Sequence, residues 1–319
     1  MATDKSTPEA QSVADVLTIR PIRFIGNPQT ANSNSFQSEA DLSGLSAEQA
    51  QAAASREFEA LVTALRAAGV RVHVFDDTLQ PHTPDSIFPN NWVSFHADGS
   101  VVLYPMLAEN RRHERRPELL ARLSAQHGFR IARVIDLSWR ERDHKFLEGT
   151  GSMVLDRAHR LAYACISPRT DLDVLGDFAQ QLDYDIVSFE ATDAAGVPIY
   201  HTNVLMCVGT RFAAVCSACI REDERAAVLD TLRNTGHTIV ELTMQQLGEF
   251  AGNMLELRSA SGEAVVAMSS RALDSLTPQQ RELIQQHGGP IVAAPIPTIE
   301  TLGGGSVRCM LAEVHLQQR

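Results

Sequence analysis

The chain has 319 residues, of which 44% are hydrophobic and 21% are charged, and its formal net charge is −11. This composition is typical of a globular protein, and the negative charge argues against nucleic acid or an anionic membrane surface as a partner. No apolar run approaches the roughly 18 residues that cross a membrane, and the N-terminus lacks an apolar signal core, so we expect a cytoplasmic location. The five cysteines, an odd number with three in apolar β-like runs, favour reduced thiols over a disulfide framework.

Residues 1–16 are polar and show no periodicity, which predicts a disordered tail, and residues 17–319 are expected to form a single domain. A strand over residues 18–26 comes first. The long polar loop that follows, residues 27–37, is a candidate lid. A helix then begins at the capping residue Ser46 and is followed by a strand with alternating valines.

The rest of the chain repeats one order of elements: a hairpin, a helix and a strand. Hairpins are predicted over residues 91–105, 152–167, 203–220, 253–269 and 306–316. The last hairpin has no helix after it, but the N-terminal strand, helix and strand supply the missing elements. Because each unit must bury its apolar face on its neighbours, these five units predict an α/β fold, a five-bladed α/β propeller with pseudo-fivefold repeats.

One polar side chain stands at the opening of each unit. These residues, at intervals of 52 to 63 positions, are Asp85, Glu148, His201, Asn253 and Cys309. The opening loops of a closed ring converge on its central axis, so we expect the five side chains to meet. Cys309 follows a run of three glycines, which favours a nucleophile over a core residue, and His201 is the natural carrier of its proton.

Five motifs in this order resemble the guanidino-group-modifying, or pentein, superfamily of arginine deiminases, dimethylarginine dimethylaminohydrolases and amidinotransferases. The motifs are TPDSIFPNNWVSFHADGSVVLYPM, NRRHERRPE, LEGTGSMVLD, YHTNVLMCVG and GGGSVRCML. They are most similar to the amidinotransferase-related citrulline-utilization hydrolases, and the resemblance runs from about residue 18 to the end. It implies the pentein fold and a catalytic domain that needs no metal or organic cofactor.

The resemblance also implies roles for four of these five polar residues. Cys309 is the expected nucleophile, and His201 is the expected acid and base. Asp85 and Glu148 are expected to hold the N–H groups of a guanidinium or ureido group and to orient the histidine. The glycines that follow Glu148 are expected to leave room for the substrate.

Asn203 departs from the pattern of the arginine-processing relatives, which commonly have His-x-Asp where this chain has His201-Thr202-Asn203. A neutral amide would leave a buried guanidinium incompletely neutralised, whereas a ureido group is neutral and offers a carbonyl oxygen to the amide N–H. We therefore expect Asn203 to bind substrate and citrulline to be that substrate. Dimethylarginine hydrolases also lack this aspartate, so hydrolysis of arginine or dimethylarginine is an alternative, as are amidino transfer and an amino-acid-binding protein on the same scaffold.

Three further side chains are expected to contact an amino-acid substrate. Arg169 matches a position that binds the α-carboxylate in relatives, and one of Arg111 and Arg112, which we assign as Arg112, is the expected second contact. Asn91 is assigned to the pocket, although it and Asn90 are equally typical of a turn.

These expectations describe a cysteine hydrolase that converts citrulline to ornithine, CO2 and ammonia. The Cys309 thiolate adds to the ureido carbon, His201 protonates the departing δ-nitrogen, and water then cleaves the S-carbamoyl enzyme. Backbone N–H groups around residues 305–309 are expected to stabilise the oxyanion. The expected partner is a small molecule, with neither nucleic acid nor a membrane involved, and the sequence is compatible with a homodimer.

Overall fold

A computed structural model describes residues 9–37 and 45–319, and within these ranges the chain forms five three-stranded sheets with helices between them. The strands are β1 (Asp15–Arg20), β2 (Arg71–Asp76), β3 (Val93–Phe95), β4 (Ser100–Leu103), β5 (Arg133–Asp136), β6 (Val154–Asp156), β7 (Leu161–Cys165), β8 (Asp185–Phe189), β9 (Met206–Val208), β10 (Phe212–Val215), β11 (Thr238–Glu241), β12 (Leu255–Arg258), β13 (Ala264–Ser269), β14 (Ile291–Ala294) and β15 (Ala312–Glu313). The helices are α1 (Ala47–Ala67), α2 (Pro117–His127), α3 (Gly149–Ser152), α4 (Leu172–Leu182), α5 (Thr202–Leu205), α6 (Glu222–Asn234), α7 (Met244–Gly248), α8 (Ser270–Ser275), α9 (Pro278–Gly288) and α10 (Pro297–Gly303).

Each sheet is built in the same way. Two strands pair antiparallel, and a third strand joins the second in parallel after a helical crossover, as in β3-β4-β5 and β6-β7-β8. The fifth sheet joins the two ends of the chain, since Val16 pairs antiparallel with Glu313 and parallel with Val72. The predicted α/β repeats are therefore confirmed, except that residues 306–316 supply one short strand instead of a hairpin.

Neighbouring sheets contact one another without sharing strands. The contacts join β15 with β3, β6 with β9, and β9 with β12, and α1 packs on β14 as well as on β2. No named strand in the described ranges hydrogen-bonds a strand of another sheet, so the sheets do not form a continuous barrel. The closed five-bladed propeller stays a prediction.

Helix α1 supports the segment that precedes Cys309. Its start at Ser46 is confirmed, because the Ser46 hydroxyl accepts the N–H of Gln49 at 3.2 Å and the Gln49 side chain accepts the N–H of Ser46 at 2.8 Å. The carboxylate of Glu57, on the same helix, accepts the N–H groups of Thr298 and Ile299 at 3.0 Å each. These two groups lie in the first turn of α10 and have no partner within that helix, so Glu57 caps it.

The N-terminal segment corrects one prediction. Glu9 is buried and its carboxylate lies 3.0 Å from the Arg157 guanidinium, while the buried Gln11 side chain donates to the carbonyls of Leu155 and Val208 at 2.9 Å. Disorder of residues 1–16 is therefore wrong for residues 9–16, and the domain begins before residue 17. Residues 1–8, for which the same prediction was made, lie outside the described residues.

No helix in the described part of the chain is long and apolar enough to cross a membrane.

Candidate active site

Cys309 lies in a turn after α10, where the glycine run brings the backbone close to an aromatic ring. A Cβ at Gly303 would lie 2.7 Å from the Phe88 ring, and one at Gly305 would lie 3.0 Å from it. Gly304 has a φ of +60°, which favours glycine. The run therefore lets the chain pass close to Phe88, and the Cys309 side chain that follows is buried, with 3% of its surface exposed.

Glu148 and His201 form a buried pair, with 2.9 Å between the carboxylate Oε2 and the imidazole Nε2. Each residue immediately precedes a one-turn helix, α3 and α5 respectively, and these two helices pack on each other. Since consecutive units place the same kind of turn at the same position, residues 53 positions apart come into contact.

The electrostatics of this pair favour a neutral imidazole beside a carboxylate. Burial lowers the pKa of His201 to about 4, although the hydrogen bond to the Glu148 carboxylate favours the imidazolium. Burial opposes ionisation of Glu148, but the Arg169 guanidinium, the His201 hydrogen bond and the Arg111 guanidinium outweigh it and hold its pKa well below the usual range. His201 can therefore accept a proton at neutral pH, and Glu148 then stabilises the cation that results.

Two side-chain amides surround the sulfur of Cys309. The Nδ2 atom of Asn253 lies 3.2 Å from Sγ, and that of Asn203 lies 3.5 Å from it. The same Asn253 nitrogen donates to the backbone carbonyl of Asn203 at 2.9 Å. The structure thus brings the side chains from the openings of three units to one sulfur atom.

Asp85 lies in the same pocket, beside the loop of residues 27–37. Its Oδ2 atom accepts from Asn27 at 2.7 Å and lies 3.5 Å from the Arg111 guanidinium. Its Oδ1 atom is buried and has no hydrogen-bond partner among the described residues, which leaves one acceptor for a ligand. On the same loop, Asn34 donates to the carbonyl of Gly304 at 3.1 Å. The loop therefore lies against the pocket, where a lid would.

The structure places Arg111, and not Arg112, in the pocket, which corrects the sequence-based choice between them. Arg111 is buried, forms two hydrogen bonds with Glu114 at 2.9 and 3.0 Å and lies 3.4 Å from Glu148. Arg112 points elsewhere and donates to the carbonyl of Met106 at 3.1 Å.

Arg169 lines the pocket as expected. Its guanidinium lies 3.4 Å from Glu148, donates to Ser33 at 2.7 Å, and stands over the Tyr200 ring at 5.0 Å. Since Ser33 belongs to the loop of residues 27–37, Arg169 connects that loop to the buried Glu148.

Asn91 lines the pocket as assigned, and its Oδ1 atom accepts from Arg111 at 3.0 Å.

Gly149 and Gly151, which follow Glu148, lie close to atoms of Asn91 and His201. A Cβ at Gly151 would lie 2.8 Å from His201 Nδ1 and closer still to the Asn91 amide, and one at Gly149 would meet the Asn91 carbonyl at 3.0 Å. These glycines make room for protein atoms, and the expectation that they also leave room for substrate stays a prediction.

The pocket encloses little free space, about 10 Å3 for the centre of a water-sized molecule. It is lined by Asn34, Asp85, Phe88, Asn91, Arg111, Arg169, Tyr200, His201, Gly303, Gly304, Gly305 and Cys309. Sequence reasoning did not assign Phe88 and Tyr200 to the pocket, and the available signal was that both lie within the quoted motifs. The Tyr200 hydroxyl donates to the Gly304 carbonyl, so this side chain holds the turn that carries Cys309.

The other cysteines differ from Cys309 in their surroundings. Cys165 and Cys207 are buried on strands, and burial raises the pKa of each thiol to about 12. Such thiols stay protonated and are poor nucleophiles. No disulfide joins the five cysteines, all of which are described.

Comparison with known proteins gives a family and a fold. The family model of eukaryotic N,N-dimethylarginine dimethylhydrolase matches residues 20–316. Among solved structures, the N-terminal domain of ArgZ, an arginine dihydrolase of cyanobacteria solved with its product, is 18% identical over 95% of this chain and 98% of that domain, with a TM-score of 0.72. No curated protein matches this chain in sequence.

Two further solved structures share the fold. AgrE, in a complex with ornithine and NAD+, is 19% identical with a TM-score of 0.71, over 96% of this chain but only 40% of the AgrE chain. A dimethylarginine dimethylaminohydrolase, as an adduct with S-methyl-L-thiocitrulline, is 13% identical over 94% of this chain and 99% of that chain, with a TM-score of 0.58.

Proposed function

This chain belongs to the family of eukaryotic N,N-dimethylarginine dimethylhydrolases, and from the geometry of its pocket we propose that it is a cysteine hydrolase of the ureido group of citrulline. Its products are ornithine, CO2 and ammonia, and Cys309 forms an S-carbamoyl intermediate. The proposed substrate-binding residues are Asp85, Asn203 and Arg169.

The observation that carries this proposal is the pair of neutral amides at the nucleophile. The hydrogen-bond partners of the Cys309 sulfur within residues 9–37 and 45–319 are Asn203 and Asn253, with no carboxylate among them. A carboxylate at this point would pair with a cationic guanidinium. An amide N–H instead suits a thiolate and the carbonyl oxygen of a neutral ureido group.

The first half of the reaction uses the neutral His201. His201 accepts the thiol proton of Cys309, and Glu148, 2.9 Å from Nε2, stabilises the imidazolium. The thiolate then adds to the ureido carbon while the free Oδ1 of Asp85 accepts an N–H of the ureido group. The imidazolium gives its proton to the δ-nitrogen, the C–N bond breaks, and ornithine leaves.

The second half returns the enzyme to its starting state. His201 takes a proton from water, and the hydroxide adds to the carbon of the S-carbamoyl group. The C–S bond breaks, the sulfur regains the proton from the imidazolium, and the carbamic acid released falls to CO2 and ammonia. Arg169 binds the α-carboxylate of the substrate, and the loop of residues 27–37 covers the pocket during both steps.

Hydrolysis of arginine or dimethylarginine is the second candidate function, and family membership favours it. Two buried carboxylates near the nucleophile, Asp85 and Glu148, are also the groups that a guanidinium would need. In that case the leaving group is ammonia or an alkylamine, and citrulline is the product.

Product analysis distinguishes the two reactions. The purified protein is incubated separately with citrulline, arginine and dimethylarginine, and the products are identified by mass spectrometry. Ornithine from citrulline, lost in Cys309→Ser and retained in the matched buried-thiol variant Cys207→Ala, supports the proposal. Citrulline formed from arginine or dimethylarginine, without turnover of citrulline itself, overturns it in favour of the second candidate.

We further propose that the five sheets close into a ring around this pocket. The contacts of β15 with β3, of β6 with β9 and of β9 with β12 support this arrangement.

A further inference from the structure

Asn253 has a buried side-chain amide whose orientation is set by its partners. Its Nδ2 atom lies 2.9 Å from the backbone carbonyl oxygen of Asn203 and 3.2 Å from the sulfur of Cys309. A carbonyl oxygen only accepts hydrogen bonds, so the atom that faces it must be the NH2 group. One hydrogen of this group goes to Asn203, and the other is left for the sulfur.

The backbone around Asn253 is pressed against helix α5. A Cβ at Gly252 would lie 2.7 Å from the carbonyl carbon of Leu205, at the end of that helix. Phe250, two residues earlier, has a φ of +58°, a left-handed conformation that costs a non-glycine residue free energy. The N–H of Asn253 donates to the Phe250 carbonyl at 2.9 Å and closes the turn. This strained turn holds the amide at a set distance from the sulfur.

Two backbone N–H groups in the turn that carries Cys309, at or next to those expected to stabilise the oxyanion, already donate to protein carbonyls. The N–H of Cys309 donates to the Ser306 carbonyl at 3.0 Å, and that of Met310 donates to the Val307 carbonyl at 3.1 Å. The donors within hydrogen-bond distance of the sulfur, in the part of the chain that is described, are therefore the two side-chain amides. Asn253 is the nearer of them and is fully buried.

The Oδ1 atom of Asn253 is a second independent observation. It is buried and has no hydrogen-bond partner among the described residues. Leaving a buried amide oxygen unpaired costs stability, so such an atom beside a nucleophile points to a hydrogen bond formed with a ligand.

We propose that Asn253 is a catalytic residue, which donates an N–H to the Cys309 thiolate and accepts an N–H of the bound ureido or guanidino group through Oδ1. The proposal rests on the proposed function only in taking Cys309 as the nucleophile. A thiolate with a fixed donor exists at lower pH than one without it, because the hydrogen bond favours the charged form.

The test measures the sulfur without any substrate. Carbamidomethylation of Cys309 by iodoacetamide is followed by peptide mass spectrometry across a pH series in the wild type, Asn253→Ala and Asn253→Asp, with the exposed Asn234→Ala as control. We expect alkylation of Asn253→Ala at neutral pH to be about tenfold slower, with its pH profile moved upward by about one unit. Asn253→Asp keeps the shape of the side chain and adds a negative charge, so its pH profile is expected to move further upward. The pH profile of Asn234→Ala is expected to match that of the wild type.

A wild-type pH profile in either folded Asn253 variant overturns the proposal, and melting curves identify the folded variants. Since Asn253→Asp has nearly the same shape as the native residue, it decides the question if Asn253→Ala does not fold. This result does not depend on which substrate is used. Retention of hydrolysis in Cys309→Ser would defeat the proposed function, whereas an unshifted alkylation profile would defeat the role of Asn253 alone.

Discussion

Replacement of Asn203 by aspartate tests why the pocket holds an amide at this point. The amide Nδ2 and Oδ1 atoms lie 3.5 and 3.8 Å from the sulfur of Cys309, so an aspartate would hold a carboxylate at that distance. Two like charges at this separation repel by about 4 to 5 kcal/mol at an effective dielectric constant near 20. Repulsion of that size lowers the thiolate population by about a thousandfold.

The assay is the kcat/KM for citrulline and for arginine at neutral pH, with Asn203→Ala as the matched variant that removes the N–H without adding a charge. We expect kcat/KM for citrulline to fall about tenfold in Asn203→Ala, through loss of one hydrogen bond, and about a thousandfold in Asn203→Asp. The ratio of arginine to citrulline turnover is expected to rise in Asn203→Asp, because the carboxylate can pair with a guanidinium. If Asn203→Asp hydrolyses citrulline within tenfold of the wild-type rate, the electrostatic reasoning is refuted.

Three further predictions follow from neighbouring contacts. Arg111→Ala leaves the buried Glu114 without its guanidinium and removes one of the two guanidinium groups beside Glu148, so it is expected to cost about 3 to 5 kcal/mol of unfolding free energy in urea titrations. Arg112→Ala should cost less than about 1 kcal/mol, and equal costs would contradict the placement of Arg111. Gly151→Ala puts a methyl group against the His201 ring and should lower kcat at least about a hundredfold. The control Gly176→Ala, with no atom within 4 Å of its Cβ position, should leave kcat unchanged. A fully active Gly151→Ala would show that the His201 ring is free to move. Burial lowers the pKa of His201 to about 4, from about 6.5 in the unfolded chain. Between these two pH values the unfolded state binds more protons than the folded state. The free energy of unfolding should therefore fall by up to about 3 kcal/mol as the pH drops from about 6.5 to about 4. Urea unfolding across this pH range should show a smaller fall in His201→Gln, and an identical fall would exclude His201 as the source.

Much of this structure could be predicted from sequence because the signals are local. Strand alternation, helical spacing and the Ser46 cap depend on residues within a few positions of one another. These signals predicted four of the five hairpin-helix-strand repeats correctly, and the fifth except for its hairpin, where residues 306–316 supply one short strand. The polar residue at each opening was also visible, since it breaks an apolar pattern at a similar interval each time. Regular spacing then led to the pocket that holds His201 and Cys309.

Packing alone decided other features. Arg111 and Arg112 are adjacent and chemically identical, and which one is buried depends on the position of Glu114 and Glu148 around the short helical segment that carries both. Residues 9–16 show no regular apolar pattern in sequence, yet Glu9 is buried because Arg157, far along the chain, offers it a partner.

The glycines after Glu148 also show the difference between what the sequence predicts and what packing decides. Sequence indicates that Gly151 leaves open space beside Glu148, but the atoms that a side chain would meet there belong to Asn91 and His201, from two other units of the chain. The sequence by itself determined the repeating elements and the polar residue at the opening of each unit, because each is marked by a local pattern. The tertiary structure decided which charges are buried together and which amides face the sulfur, because the free energy of a buried polar group depends on partners that only folding brings within hydrogen-bond distance.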